Sequence, residues 1–546
     1  MCRIRVTELA IVAGTRCRQW MTLAVLGSAC LAVASAPGAT GEYDEQYRPQ
    51  YHFSPPGHWM NDPNGLVFLD GEYHLFYQHN PDGTQWGPMH WGHAISRDMV
   101  HWQNLPIALY PDEHGTIFSG SAVIDRNDTS ALGTRDHPPL VAIYTSHDAV
   151  IEKAGGIDFQ SESIAYSLDR GRTWTKYPGN PVLKNPGRRD FRDPKVTWFE
   201  PAKSWIMTLA VGDHVGFYSS KDLKHWVHES DFGREWGTHQ GVWECPDLIA
   251  MTVDGEASRK YVLLVSVNPG GPNGGSATQY FIGDFDGHRF APDPDMRSRL
   301  QRAPALVAAA SALWVDYGTD DYAGVTWSGI PDTDGRHLFL GWMSNWTYAQ
   351  KVPSEHWRSA MTVPRELKLV RTSRGLELHS TPIRELAGLR ASSRRIERQA
   401  VQGEFDLTRS VHNSSGLLEL NLEMNTESAD LITVEFANSE GQKTVFRINK
   451  KLRRYELDRS KSGAVDFDPR FAGEQFAPMP NAATAVSLTL FLDRSSLEIF
   501  INQGETVMTI IEFPSTPFDK VTLKADQPIE LGSGAVYALH SSWDLK

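Results

Sequence analysis

Three carboxylates, each one or two residues ahead of a proline, are the residues of this sequence best suited to acid–base chemistry. They are Asp62 in "WMNDPNG", Asp193 in "FRDP" and Glu244 in "WECPDL". A residue before proline is pushed toward extended backbone, so we expect these acids at strand ends, aimed by stiff turns. For Asp62 taken alone, the simpler interpretation is a turn residue whose side chain caps the turn's own backbone.

Brought together, three carboxylates suit the hydrolysis of a glycosidic bond. They are 131 and 51 residues apart, so the fold must gather distant strand ends. In a retaining glycosidase the nucleophile and the acid lie about 5–5.5 Å apart, whereas an inverting pair lies roughly 6.5–9.5 Å apart. Neighbouring like charges raise the pKa of one partner and keep it protonated. The sequence leaves both geometries open.

The elements that must position these acids are short strands. Between about residues 50 and 370, runs rich in β-branched and aromatic residues alternate with clusters of Gly, Pro, Asn and Asp. No long helical period appears. Representative runs are "GEYHLFYQ" (71–78), "PLVAIYTS" (139–146) and "SWIMTLAV" (204–211). The pattern predicts an all-β domain.

A short repeat indicates how these strands are arranged. The stretches "SRDMVHW" (96–102), "SLDRGRTW" (167–174) and "SSKDLKHW" (219–226) each contain a Ser, an Asp and, four or five residues later, a Trp. Irregular repetition of a strand–turn–strand unit favours a β-propeller with one unit per blade. Chance similarity of polar hairpins is the alternative.

A second domain is predicted after a break in this pattern. Residues 371–395 are charged and irregular, and we interpret them as a linker. Residues 396–546 then return to alternating apolar and polar positions, as in half-buried antiparallel strands. The clearest runs are 416–424, 431–437, 485–493 and 496–502. This region is predicted to be a β-sandwich without a catalytic cluster.

Composition narrows the class of partner. The chain has 546 residues, enough for two or more domains. Its net charge of -13 argues against nucleic acid and anionic membranes as partners, and is compatible with a neutral sugar.

The first 36 residues have the order of a secretory signal peptide. A basic start precedes the apolar run "MTLAVLGSACLAVASA", which ends in small residues and is short for a membrane span. We therefore expect a secreted protein, extracellular or periplasmic, with no membrane span. Lipoprotein anchoring at Cys30 is a minor alternative. Without residues 1–36 the chain keeps only Cys245, so no intramolecular disulfide is expected.

Seven motifs, in order, resemble those of glycoside hydrolase family 32, the β-fructosidases. They are "HWMNDPNG", "FYQ", "WGPMHWGHA", "FSGS", "FRDP", "WECPDL" and "DYGTDDYAG". The resemblance implies a five-bladed β-propeller over residues 45–370, followed by the β-sandwich. It also implies that Asp62 is the nucleophile, that Glu244 is the general acid/base, and that Asp193 stabilises the transition state.

The same resemblance implies a fructose pocket. Its predicted lining is Asn61, Gln78, Trp86, Phe118, Ser119 and Arg192, with Trp342 as an aromatic wall. Core packing stays open as the role of Trp86 and Trp342, and a plain ion pair with Asp193 stays open for Arg192. No cluster has the spacing of a metal site, and no cofactor is expected.

The resemblance favours release of terminal fructose from levan or inulin, with sucrose as a side substrate. An endo-levanase or endo-inulinase would use the same residues. A fructan-binding protein without catalysis and a fructosyltransferase are further alternatives. No oligomeric state is predicted.

Overall fold

The structure is a computed structural model that describes residues 43–301, 312–409, 411, 415–480 and 484–543. These residues form mainly β-strands, which confirms the predicted all-β class. The predicted leader, residues 1–36 with Cys30, lies outside the described residues. No helix within the described ranges is long and apolar enough to cross a membrane.

Five sheets, antiparallel apart from one short parallel pair, form the blades of a β-propeller. Each of the first four blades takes four consecutive strands. Their bounds, in chain order, are β1 (His58–Leu69), β2 (Glu72–Asn80), β3 (His90–Ser96) and β4 (Trp102–Leu109); β5 (Thr116–Ile124), β6 (Leu140–His147), β7 (Gln160–Ser167) and β8 (Thr175–Lys176); β9 (Arg192–Phe199), β10 (Ser204–Val211), β11 (His214–Ser220) and β12 (Trp226–Phe232); β13 (Val242–Thr252), β14 (Arg259–Asn268), β15 (Ala277–Phe285) and β16 (Phe290–Pro292). Helix α1 (Ala149–Lys153) follows β6, and α2 (Pro294–Gln301) follows β16.

The fifth blade is completed by strands from further along the chain. Each of its principal strands pairs with the next in the order β17 (Tyr322–Thr326), β18 (His337–Met343), β21 (Arg365–Thr372) and β22 (Gly375–Pro382). Between β18 and β21, the short β19 (Trp357–Arg358) pairs in parallel with β1, and β20 (Ala360–Met361) pairs with β18. The contact of β19 with β1 ties the last blade to the first.

The predicted Ser–Asp–Trp repeat marks the same turn in three blades, between the third and fourth strands. In each turn the Ser hydroxyl donates to the Asp carboxylate, and the Trp indole N–H donates to a backbone carbonyl three residues earlier. The residues are Ser96, Asp98 and Trp102; Ser167, Asp169 and Trp174; and Ser220, Asp222 and Trp226. The repeat is therefore one structural unit in each of these three blades.

The rest of the described chain forms a sandwich-like set of twelve strands. Strand β33 pairs with both β26 and β25, and so connects the two parts of this sheet. The strands are β23 (Arg390–Ile396), β24 (Gln399–Asp406), β25 (Leu418–Asn425), β26 (Leu431–Ala437), β27 (Lys443–Asn449), β28 (Arg454–Lys461), β29 (Glu474–Pro478), β30 (Ala485–Asp493), β31 (Ser496–Ile501), β32 (Thr506–Ile511), β33 (Lys520–Leu531) and β34 (Gly534–Leu539). Their apolar faces enclose a separate core.

The boundary between the two regions differs from the predicted linker at 371–395. Strand β22 lies within that stretch and pairs along its length with β21 in the fifth blade. A 3₁₀ turn, Arg384–Leu389, leads directly into β23 of the second region. The charged side chains that make this stretch look irregular in sequence lie at the surface and pair there, as Arg371 does with Glu256.

A buried set of charges connects the propeller to the sandwich. The Arg365 guanidinium donates to Asp316 and Asp321 in the propeller and to Glu498 in the sandwich, over 3.0, 2.9 and 2.6 Å. The His52 ring also contacts Glu498, over 2.8 Å. Because an unpaired buried charge is costly, these groups act as a unit. The residue after Asp321 is Tyr322, at the start of β17, so the network fixes a strand that reaches the site described below.

Candidate active site

The first strand of every blade carries a break in its hydrogen-bond ladder. The register shifts lie at Met60/Pro63, Ile117/Gly120, Arg192/Lys195, Glu244/Asp247 and Tyr322/Val325. A β-bulge leaves residues unpaired and re-aims their side chains. In this way five strands contribute to one cluster, through Asp62, Ser119, Asp193, Glu244 and Tyr322.

The extended, strand-end conformation predicted for these acids is wrong. Asp62 lies inside β1, not at its end, and Asp193 has a left-handed φ of 65° although Pro194 follows it. Cys245, which precedes Pro246, is also left-handed, with a φ of 45°. Proline has no N–H for the ladder and is tolerated at a bulge. The bulge, not an extended strand end, therefore sets the direction of these side chains.

The Asp62 carboxylate is held by its neighbours in sequence and in the next blade. Its Oδ2 accepts a hydrogen bond from the Ser119 hydroxyl over 2.6 Å, and its Oδ1 accepts one from the Asn61 amide over 3.0 Å. Asn61 is itself fixed, since the Trp59 indole donates to it over 2.7 Å. Asn64 binds the carbonyl of Asp62 and the N–H of Gly120. Both asparagines of the "NDPNG" motif thus orient the acid.

Glu244 has a donor on each carboxylate oxygen. The Arg192 guanidinium donates to Oε1 over 2.9 Å, and the Tyr322 hydroxyl donates to Oε2. Arg192 also pairs with Asp190 over 2.7 Å. Since Glu244 remains partly exposed to the cavity, it can exchange a proton with a bound molecule.

Asp193 is the most enclosed of the three acids. Its Oδ2 accepts the N–H of Cys245 over 3.0 Å, and its own N–H donates to Thr145. The Cys245 thiol lies 3.6 Å from an oxygen of Asp193 and 3.6 Å from an oxygen of Asp62. These two carboxylates are therefore no farther apart than twice that distance.

Burial and mutual repulsion favour retention of a proton in this cluster. Burial raises the pKa of Asp193 to about 7; Arg192 opposes this shift, while Glu244 and Asp62 add to it. Burial also raises the pKa of Asp62, against the hydrogen bonds from Ser119 and Asn61. Acids this close titrate as a set, so the last proton belongs to the cluster as a whole. The arrangement can supply both an ionised carboxylate and a protonated one.

The three acids face a cavity of about 370 Å³. Six of the predicted pocket residues line it with them: Asn61, Gln78, Trp86, Phe118, Ser119 and Arg192. The Gln78 amide donates to the carbonyl of Ile117, and the rings of Trp86 and Phe118 meet edge to face at 6.0 Å.

Trp342 does not form the wall of the cavity that the sequence predicted. Its side chain is completely buried, and the ring of Trp346, 4.9 Å away, lines the cavity in its place. Trp342 also packs against Trp59. The "GWMSNW" segment turns after β18, so its second tryptophan reaches the cavity while the first supports it from behind.

Several contributing residues were not singled out in the sequence. Tyr322 lies within the "DYGTDDYAG" motif, and Asn64 within "NDPNG", but neither had been assigned a role. The outer part of the cavity is lined by residues of the loops near α1 and before β9, among them His147, Glu152 and Arg189. These loops carry no motif that would have indicated a site.

Comparison with known families decides the class of the protein. The profile of the glycosyl hydrolases family 32 N-terminal domain matches residues 52–382, and that of the family's C-terminal domain matches residues 385–537. The chain belongs to glycosyl hydrolase family 32. The match confirms the resemblance found in the sequence, and this family 32 protein is a glycoside hydrolase.

Individual relatives are similar along most of the chain. A levanase of Bacillus subtilis (strain 168) is 46% identical over 523 residues, covering 94% of this chain and 73% of the levanase. An extracellular exo-inulinase of Aspergillus niger is 38% identical over 497 residues, covering 87% and 90%. The crystal structure of exo-inulinase from Aspergillus awamori matches with a TM-score of 0.82 at 36% identity, covering 92% of this chain and 100% of that one. These matches support the propeller and sandwich architecture.

Proposed function

We propose that this family 32 hydrolase is a retaining β-fructofuranosidase that releases terminal fructose from levan or inulin, with sucrose as a side substrate. The observation that carries the proposal is the convergence of Asp62, Asp193 and Glu244 on one cavity of about 370 Å³. The levanase and exo-inulinase relatives support the substrate class.

In the first step, a carboxylate oxygen of Asp62 attacks the anomeric carbon of the terminal fructosyl ring. Glu244 donates its proton to the glycosidic oxygen as the bond from that oxygen to the anomeric carbon breaks. In the second step, Glu244 takes a proton from water, and the water oxygen displaces Asp62 from the anomeric carbon. The two displacements restore the original configuration and both starting protonation states.

The other cavity residues serve these two steps. Asp193 binds fructose hydroxyls and stabilises the positive charge that develops on the ring in the transition state. Ser119 and Asn61 each donate to Asp62, which favours its ionised form. Arg192 and Tyr322 hold Glu244 against the leaving oxygen. Gln78, Trp86 and Phe118 complete the fructose pocket.

The size of the cavity favours cleavage at chain ends. A volume of about 370 Å³ is near the lower limit for small-molecule pockets. It suits a terminal ring and its neighbour, whereas cleavage within a polymer requires an open groove.

A time course of products from levan and from inulin, incubated separately, tests the proposal. Fructose alone at the earliest times is expected, and the faster polymer identifies the preferred linkage. A ladder of oligosaccharides would contradict the exo mode and indicate an endo-enzyme.

Glu244→Gln should abolish turnover while retaining fructan binding. Its matched control is Glu397→Gln in the β-sandwich, where the glutamate side chain is 78% exposed.

The leader predicted at residues 1–36 and the extracellular exo-inulinase relative support secretion. N-terminal sequencing of the mature protein tests it. A free terminus near residues 35–37 is expected, and a lipid-modified Cys30 would instead indicate anchoring.

A further inference from the structure

The bulge that carries Asp193 is held by buried hydrogen bonds from the second blade. The N–H of Asp193 donates to the Thr145 hydroxyl over 2.9 Å. Just beyond it, the Ser121 hydroxyl donates to the carbonyl of Pro194 over 2.9 Å and accepts the N–H of Val196 over 3.0 Å. A left-handed φ in a residue other than glycine persists only where the surrounding structure determines it. At Asp193 these hydrogen bonds do so.

Strand β7 supports this bulge through two buried side chains on one of its faces. Gln160 and Glu162 are two residues apart, so they point to the same side of the strand. The Gln160 side-chain oxygen accepts the N–H of Phe191 over 2.9 Å. Glu162 lies opposite Thr145 in the pairing of β6 with β7, and its Oε2 accepts the Thr145 hydroxyl over 2.8 Å. Gln160 therefore holds the chain at the bulge directly, whereas Glu162 holds it through Thr145.

The direction of each of these hydrogen bonds follows from the single proton of the Thr145 hydroxyl. The N–H of Asp193 can only donate, so the hydroxyl oxygen must accept from it. The hydroxyl proton then goes to Glu162, which must present an unprotonated oxygen to it. A side chain without an acceptor in this place would leave the hydroxyl free to turn away. Glu162 thus fixes the orientation in which Thr145 holds Asp193.

Glu162 acts in this way as a hydrogen-bond acceptor and not as a charge. Its side chain is completely buried, its Oε1 has no hydrogen-bond partner, and no cation pairs with it among the residues that the structure describes. Burial raises the pKa of Glu162 well above its usual range, against the hydrogen bond from Thr145, and the charge of Asp193 adds to the shift. Because an unpaired charge is costly to bury, Glu162 carries a proton, on Oε1.

We propose that Glu162 is a positioning residue of the reaction: through the Thr145 hydroxyl it holds the N–H of Asp193, and with it the bulge that aims this carboxylate into the cavity. Neither Glu162 nor Thr145 lines the cavity, so neither touches the substrate. The inference rests on the proposed function, in which Asp193 stabilises the transition state. Such stabilisation requires groups that are already in place, so a displaced Asp193 lowers the rate.

The second region of the protein provides a matched control. Glu512, which follows β32, is also completely buried; its Oε2 accepts the hydroxyl of Thr444, and its Oε1 has no hydrogen-bond partner. The pair of Glu512 with Thr444 therefore repeats the chemistry of Glu162 with Thr145, but no catalytic acid donates to its hydroxyl. The same substitution at the two glutamates separates an effect on Asp193 from a general loss of stability.

The test measures kcat for sucrose and the melting temperature in four variants. Glu162→Leu removes the acceptor and Thr145→Val removes the hydroxyl, and each should lower kcat about ten- to a hundredfold, as small misplacements of catalytic groups do. Glu162→Gln keeps a neutral acceptor oxygen and should recover most of the rate that is lost in Glu162→Leu. Glu512→Leu should lower the melting temperature but keep the wild-type kcat.

A wild-type kcat in folded Glu162→Leu overturns the inference alone. If Glu162→Leu does not fold, Thr145→Val decides, because Glu162 reaches Asp193 only through that hydroxyl, and a wild-type kcat there overturns the inference as well. It is also overturned if Glu162→Gln or Glu512→Leu is as slow as Glu162→Leu. A folded wild type that hydrolyses neither sucrose nor fructans overturns both the inference and the proposed function.

Discussion

The Arg192 guanidinium donates to Glu244 over 2.9 Å, so the proposed proton donor is bound to a permanent cation. The same guanidinium lies 3.9 Å from Asp193. Since a positive charge favours ionised carboxylates, Arg192 opposes the effect of burial, which raises the pKa of Asp193 to about 7. It thereby helps to set the pH at which the cluster loses its last proton.

The pKa of Asp193 is raised to about 7, and the acids titrate as a set. Activity is therefore expected to fall at higher pH, where the cluster has lost the proton that the reaction needs. Arg192→Gln removes the cation, which raises the pKa of Asp193 and moves this decline to higher pH. The maximal rate should also fall, by roughly a hundredfold or more. The pH profiles of kcat and of kcat/KM measure both effects. Arg192→Lys, which keeps the charge but not the planar fork, should slow the enzyme with a smaller displacement of the decline. A decline that stays in place in Arg192→Gln would contradict this role.

Tyr322→Phe should lower kcat about ten- to a hundredfold with little change in KM. The variant keeps the buried ring but removes the hydroxyl that donates to Glu244, and general acid catalysis contributes roughly 10²–10⁴-fold. Steady-state kinetics with sucrose measure it. Tyr110→Phe, at an exposed ring, is the control and should match the wild type. A raised KM with unchanged kcat would show instead that Tyr322 binds substrate.

The two tryptophans of "GWMSNW" should respond differently to truncation. Trp342→Ala opens a cavity in the core and should cost about 3–5 kcal/mol of stability, since Trp342 is completely buried. Trp346→Ala removes a side chain that lines the cavity, so it should raise KM with a smaller loss of stability. Denaturant unfolding and steady-state kinetics separate the two effects. Equal destabilisation by both changes would contradict the assignment.

The contact between His52 and its two acids predicts a pH dependence of stability. Burial disfavours the charged imidazole, but hydrogen bonds to Asp493 and Glu498 outweigh it and raise the pKa of His52 to about 9. The folded pKa lies above the unfolded value of about 6.5. The stabilisation is therefore fully present below pH 6.5 and is lost as pH rises through 9. By linkage it is on the order of 3 kcal/mol.

His52→Gln should remove this dependence. We expect a lower free energy of unfolding at pH 6 and a flatter curve between pH 6.5 and 9, measured by chemical denaturation. His225→Gln, at an imidazole that is 86% exposed, is the control. If His52→Gln keeps the slope of the wild type, the stabilisation has another source.

The architecture was predictable because its signals are local. Alternating strands and the Ser–Asp–Trp turns depend on neighbours in sequence. Each predicted run, 204–211 and 431–437 among them, corresponds to a strand. The three acids could be picked out in the sequence because each precedes a proline. Their backbone conformation could not be predicted, because the left-handed φ of Asp193 follows from a bulge, and a bulge depends on the partner strand.

The outer part of the cavity and the two tryptophans depend on contacts that sequence does not encode locally. Glu152 and Arg189 come from different blades and meet only in the folded chain. Trp342 and Trp346 are four residues apart, and the turn after β18 decides which one faces the cavity. The boundary after β22 was missed for a similar reason, since charged residues of the predicted linker, such as Arg371 in β21, pair across the fold.

The configuration of the product tests the proposed mechanism most directly. Sucrose is hydrolysed in aqueous methanol, and the methyl fructofuranoside formed is identified by NMR, since unlike free fructose it does not mutarotate. Two displacements, by Asp62 and then by methanol activated by Glu244, predict methyl β-D-fructofuranoside. Formation of the α anomer would show a single displacement and would contradict Asp62 as the nucleophile.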